Sequence, residues 1–317
     1  MHIKKTIIAG LTISLLALTT ACSSGKAAET DKPRIAFSFG QNEHPFFIAM
    51  KKGAEDAAKE LGVDLSTSSA DSKLETQVAN IENNLQQHVD AILVNPIDSE
   101  ALATTVVQAT TAGVPVFTVD VNVVGADVSS FVASDNTQIG RMAATNIIEK
   151  LNGKGSVAVL GWPTITSTRD RQQGFMEELQ KAPGIKVVAT SGGATDRAAA
   201  LDSAENILQS NPGLDAIFGV NESGALGALG AADAQGKTGV YIVGVDATPD
   251  LLEAIGKGTQ VKAAIAQDPY QMGKTAVEQA VAQLAGKTVE KKVNVPIDLV
   301  TKENVQKFID REAAYAK

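Results

Sequence analysis

From residue 34 onward the chain alternates short apolar runs with longer amphipathic stretches. Residues 35–39 read as a strand. Pro45 opens a helix whose apolar positions Phe47, Met50, Ala54, Ala58 and Leu61 recur at helical spacing. A second strand is predicted over 63–66, a helix over 74–87 carried by Val78, Ile81 and Leu85, a strand over 91–94, a helix over 101–112 and a strand over 114–120 that ends in Asp120. The order then recurs, with strands over 156–162, 186–189, 216–220 and 240–246 and helices over 169–180, 198–209 and 225–234. A segment of strand and helix after Gln267 and a last strand near 295–300 exceed what a second copy needs, so the chain is expected to return to its first half.

Two stretches make the recurrence explicit. Asp90-Ala-Ile-Leu-Val-Asn95 leads, after a helix, to the run ending in Asp120; Asp215-Ala-Ile-Phe-Gly-Val-Asn221 leads in the same way to Asp246. Strand, helix and strand in the same order at nearly the same spacing indicate two similar halves. Strands alternating with helices of this length form parallel sheets covered on both faces. The expected fold class is therefore α/β, with two similar doubly wound parallel-sheet domains. Open sheets of this kind bind ligands outside the carboxyl ends of their strands, where Asp120 and Asp246 fall.

At 317 residues the chain is long enough for two domains. Its first 22 residues read as an export signal: Lys4 and Lys5 precede an apolar run over 7–18 that is too short to span a bilayer. Cys22, the only cysteine, follows Leu18-Thr-Thr-Ala21 and resembles the acylated residue of a bacterial lipoprotein; Thr19 departs from that pattern, and a soluble secreted protein is the other reading. Residues 23–32, small and polar, would serve as a tether. The formal charge of −8 becomes more acidic once Lys4 and Lys5 leave, which argues against nucleic acid as a partner. Enzymatic chemistry lacks material too. No Gly-x-Gly-x-x-Gly follows the first strand, and His2 is one of only three histidines, so neither a metal site nor a nucleophilic triad is expected, and no cofactor.

In order along the chain, His44-Pro-Phe-Phe47, Asn95-Pro-Ile-Asp98, Asp120, Ala133-Ser-Asp-Asn136, Arg169-Asp-Arg171 with Gly174-Phe175, Asn221-Glu222, Val243-Gly-Val-Asp-Ala-Thr-Pro-Asp250 and Ile265-Ala-Gln267 resemble the periplasmic sugar-binding proteins of the ribose-binding type, substrate receptors of ABC importers. The resemblance implies the type I periplasmic binding protein fold. It implies one lobe formed by 33–134 plus 268–296, a second formed by 135–267 plus 297–317, and a hinge of three crossings near Ser134, Ala266 and Pro296. The ligand would lie in the cleft, with the domains closing over it. The implied partners are a monosaccharide or polyol and an ABC transporter permease, with a chemoreceptor as a further docking partner. The protein would be a monomer that meets the membrane only through a lipid anchor. A sugar-responsive repressor is disfavoured by the absence of a helix-turn-helix before the core, and a receptor for a non-sugar signal molecule is the alternative the fold permits.

Sugar hydroxyls call for carboxylates and amide or guanidinium donors, and sugar C–H faces call for aromatic rings. Asp120 and Asp246 end strands whose interiors carry no other charge, although aspartate in such places also caps turns. Asn221 ends its strand similarly. Phe46 is favoured as a stacking platform over Phe47, which sits on the helix's apolar stripe. His44 stands where ribose binders resemble one another in having an amide. By the same resemblance Arg169 is taken as the ligand arginine and Gln267 as a ligand amide at a crossing. Two positions depart from the ribose pattern. Val121, followed by Asn122, replaces an arginine beside Asp120, and Thr195 replaces an aromatic before Asp196-Arg197. Trp162, the only tryptophan, is a candidate for the missing ring or for a core position. With two acids and one guanidinium expected in the lining, a neutral polyhydroxy ligand is favoured over an anion.

Overall fold

The computed structural model describes residues 32–315; Cys22, the leader and nearly all of the tether lie outside them. In chain order the first half contains β1 (Arg34–Phe39), α1 (Pro45–Leu61), β2 (Asp64–Ser69), α2 (Leu74–Gln86), β3 (Ala91–Val94), α3 (Ala103–Thr111), β4 (Val116–Val119) and β5 (Ser130–Ser134). There follow α4 (Asn136–Lys150), β6 (Gly155–Leu160), α5 (Thr166–Leu179), β7 (Ile185–Ser191), α6 (Arg197–Ser210), β8 (Ala216–Gly219), α7 (Glu222–Ala234), β9 (Tyr241–Val245), α8 (Pro249–Gly256) and β10 (Val261–Ala266). The chain closes with α9 (Pro269–Leu284), β11 (Lys292–Val295), β12 (Asp298–Thr301) and α10 (Val305–Tyr315).

Two six-stranded sheets result, ordered β11-β5-β4-β3-β1-β2 and β12-β10-β9-β8-β6-β7. The halves superimpose in order: β2-β1-β3-β4-β5 corresponds to β7-β6-β8-β9-β10. They part only at the last strand, because β11 runs parallel to β5 whereas β12 runs antiparallel to β10. The single strand expected over 295–300 is thus two strands in two sheets, divided at Pro296, a residue with no N–H to continue a ladder. β5, α4, α8 and α10 also go beyond the sequence pattern, and the strand expected after Gln267 lies before it, as β10, with α9 following directly. α4, whose apolar residues are interrupted by Asn, Gly and Thr, carries little periodic signal.

Every residue of β3, β4 and β8 is buried, as expected of central strands covered on both faces, while the edge strand β7 alternates. In the first sheet, apolar clusters sit on either side: α1 and α9 supply one with Met50, Ala54, Met272 and Val277, and α2 and α3 the other with Ile81, Val106 and Ala109. The stripe of α1 is offset from the one expected. Phe46, Ala49, Met50, Gly53, Ala54, Ala57 and Ala58 are buried, whereas Leu61 is 44% exposed. In the second lobe Phe175 of α5 stacks on Phe218 of β8, centroids 4.5 Å apart. Here α4 and α5 approach closely at two glycines. A Cβ on Gly174 would lie 2.0 Å from the Thr137 carbonyl oxygen, and one on Gly140 would lie 1.9 Å from that of Arg171.

The chain passes between the sheets after β5, after β10 and between β11 and β12. In both sheets the order reverses beside the first strand, so the crevices lie at the carboxyl ends of β1, β3 and β4 and of β6, β8 and β9.

Candidate functional site

A cavity of about 470 Å³ lies between the two lobes. Its lining follows the strand ends almost one by one: Gly40 after β1, Asn95 after β3 and Asp120 after β4; then Trp162 shortly after β6, Asn221 two residues past β8, Asp246 after β9 and Gln267 after β10. Parallel strands deliver their carboxyl ends to one edge, which is why residues far apart in sequence meet here.

Asp120 and Asp246 occupy equivalent positions and share a conformation uncommon for a side-chain-bearing residue, with φ of 64° and 86°. Each still donates its N–H to the neighbouring strand, Asp120 to Val132 at 2.8 Å and Asp246 to Ile265 at 3.0 Å. The left-handed turn therefore falls at the last paired residue itself and re-aims its carboxylate. Strain of this kind collects at functional sites. The two acids are not equally satisfied. Asp246 accepts from Gln267 Nε2 at 2.7 Å and from the Glu222 N–H at 3.3 Å. Asp120 accepts from Asn95 Nδ2 at 3.2 Å through Oδ2, while its buried Oδ1 has no hydrogen-bond partner. Burial pushes the Asp120 carboxyl up to about 6; Arg171 opposes that shift, Asp246 adds to it, and the Asn95 hydrogen bond opposes it again.

Arg171 is the cavity's guanidinium. It is 3% exposed and donates through Nε to Asn136 Oδ1 at 2.8 Å and through Nη1 to the Val220 carbonyl at 2.9 Å. Arg169 does not reach the cavity. Two residues along a helix are about 200° apart, so Arg169 points out of α5 where Arg171 points in. Arg169 Nη1 instead meets Glu100 of the first lobe at 2.9 Å, with both side chains substantially exposed. Asn122 is also outside the cavity lining, because its Oδ1 accepts from Thr118 Oγ1 at 2.9 Å. Both residues lie in a seam between the lobes. There Thr166 N–H donates to Ser99 Oγ at 3.0 Å, and the Asn122 N–H donates to Thr166 Oγ1 at 3.2 Å.

His44, Phe46, Phe47, Trp162, Thr195, Asn221 and Gln267 all border the cavity. Phe46 is only 8% exposed and belongs to the first lobe's core, while Phe47 packs partly against that core. The rings stand edge to face, centroids 5.5 Å apart. Gly40 leaves room for Phe47: a Cβ there would lie 2.9 Å from its ring. Trp162 leans on the second lobe's core. Asn221 is largely committed to structure, since its Oδ1 caps α7 at the Gly224 N–H, 2.8 Å, and its Nδ2 donates to the Ala194 carbonyl at 2.8 Å.

Of the cavity groups outside the sequence expectation, three bear directly on its charged residues. Arg171 was identifiable as a helical neighbour of the apolar Gly174-Phe175 face. Asn95 pairs with Asp120 only through the sheet. Glu222, 7% exposed, receives Arg197 Nη2 at 2.8 Å and lies 3.7 Å from His44 Nε2 across the cleft. Burial acts to raise the Glu222 carboxyl, but the facing His44 and the hydrogen-bonded Arg197 outweigh it and hold the group below the ordinary range.

The comparisons agree with this geometry. The model of the periplasmic binding protein domain matches residues 35–288. The ribose import binding protein RbsB of Bacillus subtilis is 37% identical over 309 residues, 95% of this chain and all of the relative. A solved ABC transporter solute-binding protein from Actinobacillus succinogenes with bound D-allose is 30% identical with a TM-score of 0.81, covering 87% of this chain and 100% of that one. Another from Bacillus halodurans with bound myo-inositol is 30% identical with a TM-score of 0.82, covering 90% and 99%. Sheet order, two-lobed cleft and sequence agree: the chain belongs to the periplasmic binding protein family, among the extracytoplasmic solute receptors of the ribose-binding type.

Proposed function

We propose that this protein captures a neutral monosaccharide or sugar alcohol in the interlobe cavity and delivers it to the permease of an ABC importer. The observation that carries the reading is the pair Asp120 and Asp246, one from each sheet, bordering one cavity that also holds Arg171 and the rings of Phe46, Phe47 and Trp162. Carboxylates accept from vicinal hydroxyls, the guanidinium donates back, and rings cover C–H faces. Asp120 Oδ1, buried without a partner, suits a ligand hydroxyl. Asp98, Asp120, Asp196, Glu222 and Asp246 line the cavity with Arg171, so an anionic ligand meets net repulsion. Relatives named for ribose, or solved with D-allose or myo-inositol, bind compounds of this class, and a non-sugar signal molecule is not favoured. The protein acts as a monomer and a binder rather than an enzyme, held to the membrane by acylation at Cys22, with a chemoreceptor as a second docking partner.

A thermal-shift screen across pentoses, hexoses and sugar alcohols tests the reading, because a ligand that binds only the folded state raises the melting temperature. At least one polyol should give a saturable rise. No shift with any carbohydrate would sink the assignment.

A further inference from the structure

The last helix lies beyond the matched family region, which ends at residue 288, yet its side chains hold the crossing that carries a cavity residue. α10 packs on α8 and β12 of the second lobe and also touches α1 of the first. From it Arg311 donates through Nη2 to the main-chain carbonyl of Gln267 at 2.7 Å, and its Nη1 lies 3.8 Å from the Asp268 carboxylate. Tyr315 donates its hydroxyl to the same carboxylate at 3.1 Å. Its ring lies parallel to that of Tyr270, centroids 4.6 Å apart. Tyr270 belongs to α9, on the first lobe's side of the crossing, and its hydroxyl donates to Asp56 of α1 at 3.0 Å. One helix of the second lobe thus grips the second crossing and, through one ring pair, the first lobe.

Gln267 is the point where this grip meets the ligand. Its main chain is held by Arg311 from behind, while its side chain faces the cavity, with Nε2 committed to Asp246 and Oε1 buried without a partner. Arg311 is itself fixed: it donates to Glu312 Oε1 at 3.0 Å through Nη2 and lies over the Phe308 ring at 5.1 Å. A guanidinium held on three sides makes a stiffer support than a free surface arginine, since less side-chain freedom remains to be lost.

We infer that Arg311 and Tyr315 are positioning residues for ligand binding: they brace the hinge at Gln267–Asp268, restrict the angle between the lobes, and fix the Gln267 amide against Asp246. The affinity consequence rests on the sugar-binding reading, whereas the effect on lobe geometry does not.

The test uses Arg311→Met, which keeps an apolar stem over Phe308, and Tyr315→Phe, which keeps the ring pair with Tyr270. Spin labels at Asn83→Cys and Asn206→Cys, exposed positions on α2 and α6, report the interlobe distance once Cys22→Ser removes the only native thiol. In the ligand-free protein both variants should broaden the distance distribution, and Arg311→Lys should recover part of the native width. D-ribose, D-allose and myo-inositol serve as titrants, and any that binds the parent should bind both variants at least fivefold more weakly. An unchanged distance distribution in both variants overturns the inference, as does a lower melting temperature with no change in distribution, since α10 would then only support its own lobe. Binding of none of the three titrants by the parent would count against the sugar reading and leave the distance result to decide the hinge.

Discussion

Replacing Asp120 by Asn should make the protein more stable and a much weaker binder. The carboxyl is 7% exposed, and the fold raises it from 3.8 to about 6. A raised value means that the folded state favours the protonated form. Stability from the protonated group is complete below the unfolded value and is lost as pH rises through the folded one. At roughly 1.36 kcal/mol per pH unit, the ionised carboxylate costs about 3 kcal/mol at pH 7.5 and only about half a kcal/mol at pH 4. Asn imitates the protonated acid. It tolerates the left-handed backbone at φ 64° better than most residues, and it can still accept from Asn95 Nδ2.

Chemical unfolding of ligand-free Asp120→Asn should accordingly show a gain of about 1–3 kcal/mol at pH 7.5 that shrinks to near zero by pH 4. In the same protein, affinity for the sugar found by screening should fall by about 2–5 kcal/mol, the usual loss when a buried charged partner is removed. A variant no more stable than the parent at pH 7.5, or one whose gain is the same at both pH values, would refute the argument that this carboxylate is held at a cost.

Three further predictions separate residues that the sequence alone places side by side. Arg171→Ala should abolish measurable binding and lower stability by about 2 kcal/mol or more, because it leaves Asn136 Oδ1 and the Val220 carbonyl without their buried donor. Arg169→Ala should change stability by less than about 1 kcal/mol, the ordinary worth of an exposed pair, and calorimetry should detect at most a few-fold loss of affinity. Gly174→Ala should destabilise by about 1–3 kcal/mol or more, since its Cβ would meet the Thr137 carbonyl, and affinity should fall with it as α5 shifts Arg171; unfolding midpoints and titration read both.

The repeat made the architecture legible because each strand end carries its own punctuation: Asn95 and Asn221, then Asp120 and Asp246. Burial on both faces left β3, β4 and β8 as uninterrupted apolar runs, and such runs are hard to mistake. What stayed hidden depends on direction rather than position. Arg169 and Arg171 differ by two residues, and only the helical period, counted from the buried face at Thr168, Arg171, Gly174 and Phe175, separates an exposed seam residue from a cavity residue. The partner of Asp120 was hidden for another reason. Asn95 reaches it because β3 and β4 are neighbours in the sheet, a pairing that no local pattern encodes. The offset in the stripe of α1 has a similar origin, since Phe47 is turned toward the cavity edge at Gly40 and its place in the core goes to Phe46.

The difference between the two aspartates bears on how closure is driven. Away from the hinge, where α10 already joins the lobes, and apart from the cavity residues, the described residues show a small seam between them: hydrogen bonds joining Ser99, Asn122 and Thr166, and the exposed pair of Arg169 with Glu100. Contacts of that sort contribute little each, so the seam biases the closed form only slightly. Asp246 has both oxygens satisfied within its own lobe and gains little from closure alone. Asp120 keeps one acceptor unpaired in a buried position, and closure without a donor to fill it is unfavourable. On the proposed reading, a ligand hydroxyl at that oxygen would supply the missing hydrogen bond while its other groups reach Arg171 and Asp246. A ligand shifts a two-state equilibrium only by its differential affinity for the two states. On the proposed reading, the unpaired oxygen of Asp120, with Gln267 Oε1, would supply such differential affinity, and the weak seam would let the ligand, rather than the lobes' own contacts, decide when the cleft closes.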